Sequence, residues 1–576
     1  MEEKKLFFII VTILFLSLFA LRFISLESDP LLLKRIGDAG DEGYWIHNAK
    51  NLALFGQFSL DDWNPFILSP LSTVLFFLSF KAFGVGFFAM RFVQALFSCL
   101  ILLLMFFFVK KYSNIKTALI SVVLAGTSIT FLAFNRLGLL ETGQLFFLLL
   151  LVYLIGEKKF FLSGLAFAIA VLLKVSAILY LPAFGFLLLF ELFKGRAKIK
   201  QVFYFAAALI PAAAIYAAIF AFFPSFAQSF FGVTNPGTTS LLNFFFILTN
   251  PLFQRIDFYL LFLFSALFLL GLFAKKRTRE LNFLEYSSII WLVVGLAAMP
   301  FGDFSDRRFF VFLAPMAILA ALLPTVLPIN FRDLIGKIQK HKFFLLLPLA
   351  IALFSFFNPV FAVTLPDYYS FILPIAFIVA LPVLWYLLRF NRVAAFLVGC
   401  LVLTTAFQAI FVLAGEFGAV ISKDILKLAV FAGIILLAIF YSRINITENF
   451  FRRAIYAAIG INILLIILSF AFMANTLYLE SKNLGIPNNK TLAGAFSQEL
   501  SLENKNLDLK IYCSGVESNF NKEIKPDYIL VPIESNSMYC DANHFGKTRL
   551  VKEIGLFPNA FSGEYRAHLK LYEIIK

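Results

Sequence analysis

A short stretch near the start of the chain combines residue types that can perform acid–base chemistry. The segment RIGDAGDEGYWIHNAKNLALFGQFSLDDWNP, residues 35–65, follows the first long apolar run and contains the adjacent acids Asp41 and Glu42. A carboxylate held near a membrane surface and partly withdrawn from water acquires a pKa suited to deprotonating a hydroxyl group. Because adjacent residues do not share one helix face, we expect one acid to enter a pocket and the other to meet a partner or a cation. A solvated loop is the alternative.

The whole chain has the composition of a multi-pass membrane protein. Of its 576 residues, 61% are hydrophobic and only 14% are charged, which is unlike a soluble domain. Apolar runs long enough to cross a bilayer, roughly 20 residues each, recur from Leu6 to Met473. The first run, Leu6 to Leu26, is followed by no small-residue cleavage site and therefore predicts an uncleaved helix at the plasma membrane.

The positive charge indicates topology and not a nucleic-acid partner. The formal net charge is +15, but the cations form short clusters between apolar runs, and such clusters face the cytoplasm. This assignment predicts about 15 membrane helices, with about 13 as the alternative. It places the N-terminus inside and the C-terminus outside the cell. The predicted runs are 6–26, 91–109, 117–134, 142–155, 160–174, 176–193, 203–223, 256–274, 285–300, 309–327, 343–363, 371–388, 393–414, 424–441 and 454–474.

One further apolar segment, 67–83, does not fit the topology in which all basic clusters face the cytoplasm. A crossing there would invert every later basic loop. We therefore expect 67–83 to lie at the outer surface or to re-enter the membrane within a first outer loop, 27–90; an ordinary span is the alternative. The charge-based topology then gathers four features on the outer face without any assumption about function. These features are Asp41, Glu141 in the segment NRLGLLET, Lys174, and Arg307 with Arg308 in the segment GDFSDRRFF.

The hydrophobicity falls sharply after Asn475. Residues 475–576 predict a small extracytoplasmic α/β domain beside a membrane module of residues 1–474, with LDLKIYC, DYILVPI and HLKLYEII as strands and LAGAFSQEL as a short helix. The domain contains no nucleophile elbow and no glycine-rich phosphate loop, which favours a lid or acceptor-recruiting cap over a second catalytic domain. Cys513 and Cys540 could pair if this domain is outside.

Several segments together resemble a known family. GDEGYWIHNAKNLALFGQFSLDDWNP, followed by FILSPLSTVLFFLSFKAFGVGFFAMRF, resembles the opening of the GT-C glycosyltransferases of the protein O-mannosyltransferase and aminoarabinose-transferase superfamily. RLGLLETGQLFFLLL is similar to the family's second outer loop, GLAFAIAVLLKVSAILYLP to its Gly-rich segment ending in lysine, and RRFFVFLAPMAILAAL to its Arg-aromatic-Pro segment. The resemblance covers roughly residues 35–185 and 305–325. Leu68-Ser69 stands where the family usually has lysine or histidine before its Pro-Pro-Leu, so the acceptor or the donor sugar is expected to differ. His47 could compensate, with a lone surface histidine as the alternative.

The resemblance implies an all-α polytopic enzyme of GT-C type. Such an enzyme transfers a hexosyl or pentosyl group, with inversion, from a polyprenyl-phosphate donor to an extracytoplasmic protein, lipid or envelope glycan. Asp41 matches the general base, with Glu42 as the adjacent acid. The leaving lipid phosphate is a weak base, so the reaction needs cations to stabilise its growing charge and needs no general acid. The candidate phosphate-binding residues are Lys174, Arg91, Arg307 and Arg308.

The remaining site residues have structural alternatives. Glu141 matches the second-loop acid, which would position the acceptor or a metal, although an ion pair with Arg136 is the alternative. A single acid does not assign a metal, so a divalent cation stays open and no cofactor is assigned. Tyr44 and Trp45 could contact the sugar or the isoprenoid, or belong to the interfacial aromatic belt. Lys174 could instead extend to the interface, and Arg91 could cap its helix.

Two rival functions remain at this point. One is a transporter or flippase for a glycolipid, which would place acids and cations near the middle of the bilayer in broken helices. The other is a non-catalytic scaffold of the cell envelope, which would tolerate the loss of Asp41. The ionisable residues of this chain occur at the ends of apolar runs, which favours the enzyme over the transporter.

Overall fold

The structure is a computed structural model that describes most, but not all, of the chain. The described residues are 2–29, 37–58, 65–222, 256–274, 280–299, 306–327, 329–330, 445–446, 448–471, 473–509, 526–533, 542–558 and 565–575. Several sequence predictions lie outside them, namely the spans 343–363, 371–388, 393–414 and 424–441, and the cysteines Cys513 and Cys540.

Helices dominate the described residues, as the apolar runs predict. The first twelve are α1 (Glu2–Phe23), α2 (Gly37–Phe55), α3 (Pro65–Leu68), α4 (Pro70–Phe83), α5 (Phe87–Tyr112), α6 (Ile115–Gly126), α7 (Ile129–Asn135), α8 (Glu141–Gly156), α9 (Phe160–Leu173), α10 (Leu181–Phe193), α11 (Ile199–Ala207) and α12 (Ile210–Phe222). Later helices are Ile256–Ala274, Phe283–Ala298, Asp306–Phe309, Leu313–Leu322, Glu448–Ala471, Thr476–Lys482 and Ser497–Leu500. Short 3-10 turns occupy Val175–Tyr180, Phe310–Phe312, Leu323–Val326 and Ala542–Phe545.

The helices are long and apolar enough for a multi-pass membrane protein. Within the described ranges, six helical segments could cross a membrane, or seven if one bent pair forms a single span. The helix Leu313–Leu322 is buried along its whole length and packs against α6, Ile256–Ala274 and Phe283–Ala298. It therefore forms the centre of the described helical part, and Arg307 and Arg308 lie just before it.

One predicted span, 117–134, is broken. Helices α6 and α7 meet at an angle of 64°. The Ser128 hydroxyl accepts a hydrogen bond from the Phe131 N–H at 3.1 Å, and the Asp257 carboxylate accepts from the Thr130 N–H and hydroxyl at 2.8 Å each. Backbone groups freed by a break in an apolar environment need such partners. The neighbouring helix that contains Asp257 therefore makes the break tolerable.

Helix α4 corresponds to the segment 67–83 that fitted the topology poorly. It contains 14 residues, about 21 Å at 1.5 Å per residue, which is less than the roughly 30 Å hydrocarbon core. It packs against α2, α5 and α9, and the Ser72 hydroxyl donates to the carbonyl of Leu173 at 2.8 Å. Helix α9, a predicted span, also has 14 residues, so the length of α4 alone does not decide between a surface helix and an ordinary span.

The C-terminal region contains a five-stranded mixed sheet, and a separate two-stranded pair precedes it in the sequence. The pair comprises β1 (Ile329–Asn330) and β2 (Asn445–Ile446), and the sheet comprises β3 (Thr491–Gly494), β4 (Leu507–Asp508), β5 (Tyr528–Pro532), β6 (Thr548–Pro558) and β7 (Tyr565–Ile574). The strand order in the sheet is β4-β3-β5-β7-β6. Strand β3 is parallel to β4 and β5, whereas β7 is antiparallel to β5 and β6.

The helix predicted over LAGAFSQEL was wrong in its first half. Only Ser497–Leu500 is helical, and the preceding Leu492 to Gly494 belong to β3. Gly494 has φ +104°, and a Cβ there would lie 2.1 Å from the carbonyl oxygen of Leu530 on β5. Pairing with β5 therefore overrides the local helical preference, and a glycine allows the two backbones to approach.

Candidate functional site

Helix α2 presents different side chains to three different neighbours. Residues one turn apart share a helix face, so Asp41 and Trp45 point the same way, whereas Gly43 lies on the opposite face. Glu42 lies about 100° from Asp41 around the helix. The adjacent acids therefore meet different partners, as their spacing predicts.

Asp41 forms an ion pair with Arg307, whose guanidinium Nη2 donates to Oδ2 of the acid. The Asp41 side chain is 34% exposed and that of Arg307 is 16% exposed. Asp41 thus combines a fixed cationic partner with access from outside the protein. A carboxylate in this setting can meet an incoming hydroxyl group.

Glu141 and Lys174 form a second ion pair beside the first. Glu141 begins α8, and Lys174 follows the last residue of α9 in an extended conformation. Both side chains are buried, and the Lys174 ammonium lies 4.8 Å from the centre of the Trp45 ring. The alternative pairing of Glu141 with Arg136 does not occur, because the Arg136 guanidinium donates to carbonyls at the end of α1.

The two ion pairs belong to one group of charges. Arg307 interacts electrostatically with both Glu141 and Lys174, and Arg308 interacts with Lys174. The Tyr180 hydroxyl donates to the carbonyl of Arg308 at 2.6 Å. This hydrogen bond fixes the 3-10 turn that follows Lys174 against the segment that contains Arg307 and Arg308. We call these side chains the charge cluster; its members are Asp41, Glu141, Lys174, Arg307 and Arg308.

Arg91 and Glu42, which the sequence analysis also assigned to the site, lie elsewhere and bind each other. The Arg91 Nε and Nη2 donate to the two Glu42 oxygens at 2.8 Å each, and Nη1 donates to the carbonyls of Leu26 and Ser28. Glu42 also accepts from the Gly138 N–H at 2.9 Å. All three Arg91 side-chain nitrogens are occupied and both side chains are buried. This geometry argues against a phosphate-binding role for Arg91 and a catalytic role for Glu42.

Tyr44, Trp45 and His47 of α2 are buried and do not lie on a membrane-facing surface. Tyr44 packs edge-on against Trp45 with ring centres 4.9 Å apart, and Trp45 contacts Lys174. His47 is also fully buried, so the alternative of a lone surface histidine was wrong. Its Nδ1 lies 2.8 Å from the Tyr44 carbonyl oxygen.

The charge cluster has a poor donor set for a metal ion. Across the described ranges, no group of three or more His, Cys, Asp or Glu side chains could hold a metal. Both carboxylates of the cluster are paired with cationic side chains, whereas divalent cations need several oxygen ligands. The arrangement fits an anionic ligand better, since Lys and Arg side chains bind phosphate oxygens.

The sequence analysis missed two residues at this site, Tyr180 and Glu499. Tyr180 lies in the segment GLAFAIAVLLKVSAILYLP, six residues after Lys174, where its aromatic side chain resembled ordinary packing material. Glu499 lies in the C-terminal region and contacts α2 near Asp41. Nothing in the local sequence connects it with α2.

The fold and the charge cluster define a class of helical membrane protein in which a loop helix presents a carboxylate to several basic side chains. Residues 68–221 match the family described as dolichyl-phosphate-mannose-protein mannosyltransferase, and this match supports the resemblance to the GT-C glycosyltransferases over that range, which does not include residues 35–67 or 305–325. An uncharacterized protein of Aquifex aeolicus (strain VF5) is 29% identical over 181 residues, which cover 30% of this chain and 36% of that relative.

Two solved structures are also similar to this chain. ArnT from Cupriavidus metallidurans, in a crystal structure bound to undecaprenyl phosphate, has a TM-score of 0.47 and 14% identity, covering 86% of this chain and 85% of ArnT. The arabinosyltransferase EmbB from Mycobacterium smegmatis has a TM-score of 0.40 and 15% identity, covering 70% of this chain and 40% of EmbB.

Proposed function

We propose that this protein is a membrane glycosyltransferase of GT-C type. It takes a sugar from a polyprenyl-phosphate donor and transfers it, with inversion, to a hydroxyl group of an extracytoplasmic protein, lipid or envelope glycan. The charge cluster is the observation that carries this proposal, because it combines a partly exposed carboxylate with three cations. The family match supports the same activity, and its residues 68–221 include Glu141 and Lys174.

In the proposed reaction Asp41 is the general base. The acceptor hydroxyl loses its proton to Asp41 as its oxygen forms a bond to C1 of the sugar. The bond between C1 and the phosphate oxygen breaks at the same time, and the electron pair leaves with the polyprenyl phosphate. Lys174, Arg307 and Arg308 stabilise the charge that develops on that phosphate.

The charges of the cluster suit one donor phosphodiester. Three cationic and two anionic side chains leave one net positive charge, which a singly charged phosphodiester neutralises. An incoming phosphate competes with Asp41 for Arg307, so donor binding would release the Asp41 carboxylate toward the acceptor. We therefore propose that the donor binds before the acceptor. Glu141 holds Lys174 in place, and Trp45 supplies an apolar wall behind the Lys174 ammonium.

The proposal includes an arrangement in the membrane. Residues 1–474 form the transmembrane module with about 15 helices, and the loop 27–90 forms the floor of an outer chamber. Residues 475–576 form an extracytoplasmic domain above it, and the isoprenoid of the donor lies between helices. The location of the cationic clusters in the sequence supports this orientation.

The test compares whole-cell glycans. Cells that lack the gene are complemented with the wild-type protein or with Asp41→Asn, and their glycolipids and glycoproteins are analysed by mass spectrometry. We expect a sugar mass on a defined acceptor only with the wild-type protein, together with accumulation of the polyprenyl-phosphate sugar in the variant. A glycolipid that changes leaflet without any change in mass would instead support the flippase.

A further inference from the structure

We propose that Glu499 is a positioning residue for Asp41, so that the C-terminal segment 475–509 completes the transferase site. This inference rests on the proposed function, because it concerns the same catalytic base. The Gly43 N–H donates to Glu499 Oε1 at 2.7 Å, across 456 positions of sequence. Gly43 lies two residues from Asp41, and both partners of this hydrogen bond are buried.

The contact requires glycine at position 43. A Cβ there would lie 2.6 Å from both Cδ and the backbone N of Glu499, and 2.7 Å from Cβ of Gln498. Such distances are far below van der Waals contact, and two of these three atoms belong to the backbone or to its first side-chain carbon. Gly43 is therefore needed for space, and it lets the C-terminal segment approach the backbone of α2 directly.

A second contact lies two turns further along the same face of α2. The Lys50 ammonium donates to Asp508 Oδ2 at 2.8 Å and to the carbonyl and hydroxyl oxygens of Ser501 at 2.7 Å each. Asn51 Nδ2 donates to the Asp508 carbonyl at 3.0 Å. Residues seven apart project from nearly the same side of a helix. The two contacts therefore fix the rotation of α2 as well as its position.

The fixed face is opposite the face that carries the chemistry. Asp41 and Trp45 point toward the charge cluster, while Gly43 and Lys50 point toward the C-terminal segment. A rotation of α2 would move Asp41 away from the acceptor. Because a displacement of about 1 Å can lower a rate by about 100-fold, holding the helix is part of the catalytic geometry.

The environment of Glu499 also indicates a dedicated role. Its Oε2 is buried without a hydrogen-bond partner among the described residues, which is uncommon for a purely structural carboxyl group. Burial raises the pKa of Glu499 well above its usual range, and the nearby Glu42 and Asp41 act in the same direction. A raised pKa reduces the negative charge that Glu499 carries beside the proposed base. Phe496, which directly precedes the helix Ser497–Leu500, has φ +55°, a left-handed conformation that non-glycine residues rarely adopt.

The experiment compares Glu499→Ala, Glu499→Gln and a matched control, Glu503→Ala, in the full-length protein. Glu503 belongs to the same segment and accepts from a backbone N–H at 3.0 Å, but its partner is Phe87 on α5. We expect Glu499→Ala to lower kcat by about 10-fold to 100-fold, with a smaller change in the donor KM. A glutamine side chain cannot ionise but keeps an acceptor oxygen, so the Glu499→Gln and Glu503→Ala variants should stay near wild-type kcat.

Amide hydrogen exchange of peptides from 37–55 provides a readout that does not depend on activity. Glu499→Ala should speed exchange there, whereas Glu499→Gln and Glu503→Ala should not. If Glu499→Ala does not fold, Glu499→Asp replaces it. The shorter side chain keeps a carboxyl group but is too short to accept the hydrogen bond from the Gly43 N–H. Equal losses of kcat in Glu499→Ala and Glu503→Ala would overturn the inference, as would unchanged exchange. If the wild-type protein transfers no sugar, the proposed function fails and the exchange result alone decides the positioning role.

Discussion

Arg307 pairs with Asp41, and both side chains remain accessible, whereas the neighbouring pair of Arg91 and Glu42 is almost completely buried. Adjacent acids on one helix therefore have different environments. An accessible carboxylate can exchange its partner for a ligand, but a buried pair cannot be opened without leaving a charge in an apolar interior. This contrast separates the proposed chemistry from structural support and determines how variants of each residue should behave.

Asp41→Asn should abolish most of the transfer activity without unfolding the protein. An asparagine oxygen can still accept from Arg307, but it cannot take the proton of the acceptor. Removing a general base typically lowers a rate by about 100-fold to 10,000-fold, so kcat should fall within that range while thermal unfolding in detergent stays close to wild type. A kcat near the wild-type value would show that Asp41 is not the base.

Glu42→Ala and Arg91→Ala should each affect folding more than catalysis. Either change leaves a charge buried without its partner, which costs about 3–5 kcal/mol. The control is Arg452→Ala, because its pair with Glu448 is exposed and such pairs contribute at most about 1 kcal/mol. Thermal unfolding in detergent measures all three variants. Unchanged unfolding of Arg91→Ala, with weaker donor binding, would restore the phosphate-binding role of Arg91.

Lys174→Ala should weaken use of the donor. A hydrogen bond to a charged group contributes about 1.5–3 kcal/mol, so the donor KM should rise by about 10-fold to 100-fold while the acceptor KM changes little. Because Glu141 is buried and loses its ion-pair partner, Lys174→Ala should also lower the temperature of thermal unfolding. Lys159 lies at the other end of α9 and is exposed, about 22 Å from Lys174 along the helix. Lys159→Ala is therefore a matched control and should leave both KM values unchanged. A rise confined to the acceptor KM would contradict the phosphate role.

The orientation of the chain can be tested with single cysteines. In a background where Cys99, Cys400, Cys513 and Cys540 are replaced by serine, exposed Asn488 and exposed Lys116 are each changed to cysteine. A membrane-impermeant thiol reagent should label Asn488→Cys in intact cells and Lys116→Cys only after permeabilisation. The reverse pattern would place the charge cluster on the cytoplasmic side and remove the extracytoplasmic acceptor from the proposal.

The apolar runs of the sequence correspond well to the described helices, because a helix that crosses a membrane needs an apolar run of matching length. The run 160–174, for example, corresponds to α9 at Phe160–Leu173. The break between α6 and α7 was missed although Gly126 and Ser128 mark it, since a cap inside an apolar run resembles an ordinary polar residue. Ser128 accepts from Phe131 in the manner of a helix N-cap. A search for capping residues within long runs would have found this break.

The partners of the charged residues could not be predicted in the same way. Arg91 and Lys174 are both cations near the ends of apolar helices, and only the tertiary structure distinguishes the one that binds Glu42 from the one beside Trp45. In the sequence, a cation that forms a buried structural ion pair cannot be distinguished from a cation that binds a ligand. The hydrogen bond between Gly43 and Glu499 joins residues 456 positions apart, and no local sequence pattern predicts it.

The great sequence distance between Gly43 and Glu499 also has a consequence for biosynthesis. Helix α2 is translated early in synthesis. Glu499, which binds the face of α2 opposite Asp41, is translated more than 400 residues later. A nascent chain can therefore contain the proposed base and the proposed phosphate-binding cations while α2 is still unrestrained. Under the proposed function, the transferase site is completed only after residue 499 has been translated, so a product truncated before it would carry Asp41 on a helix that nothing holds from that side.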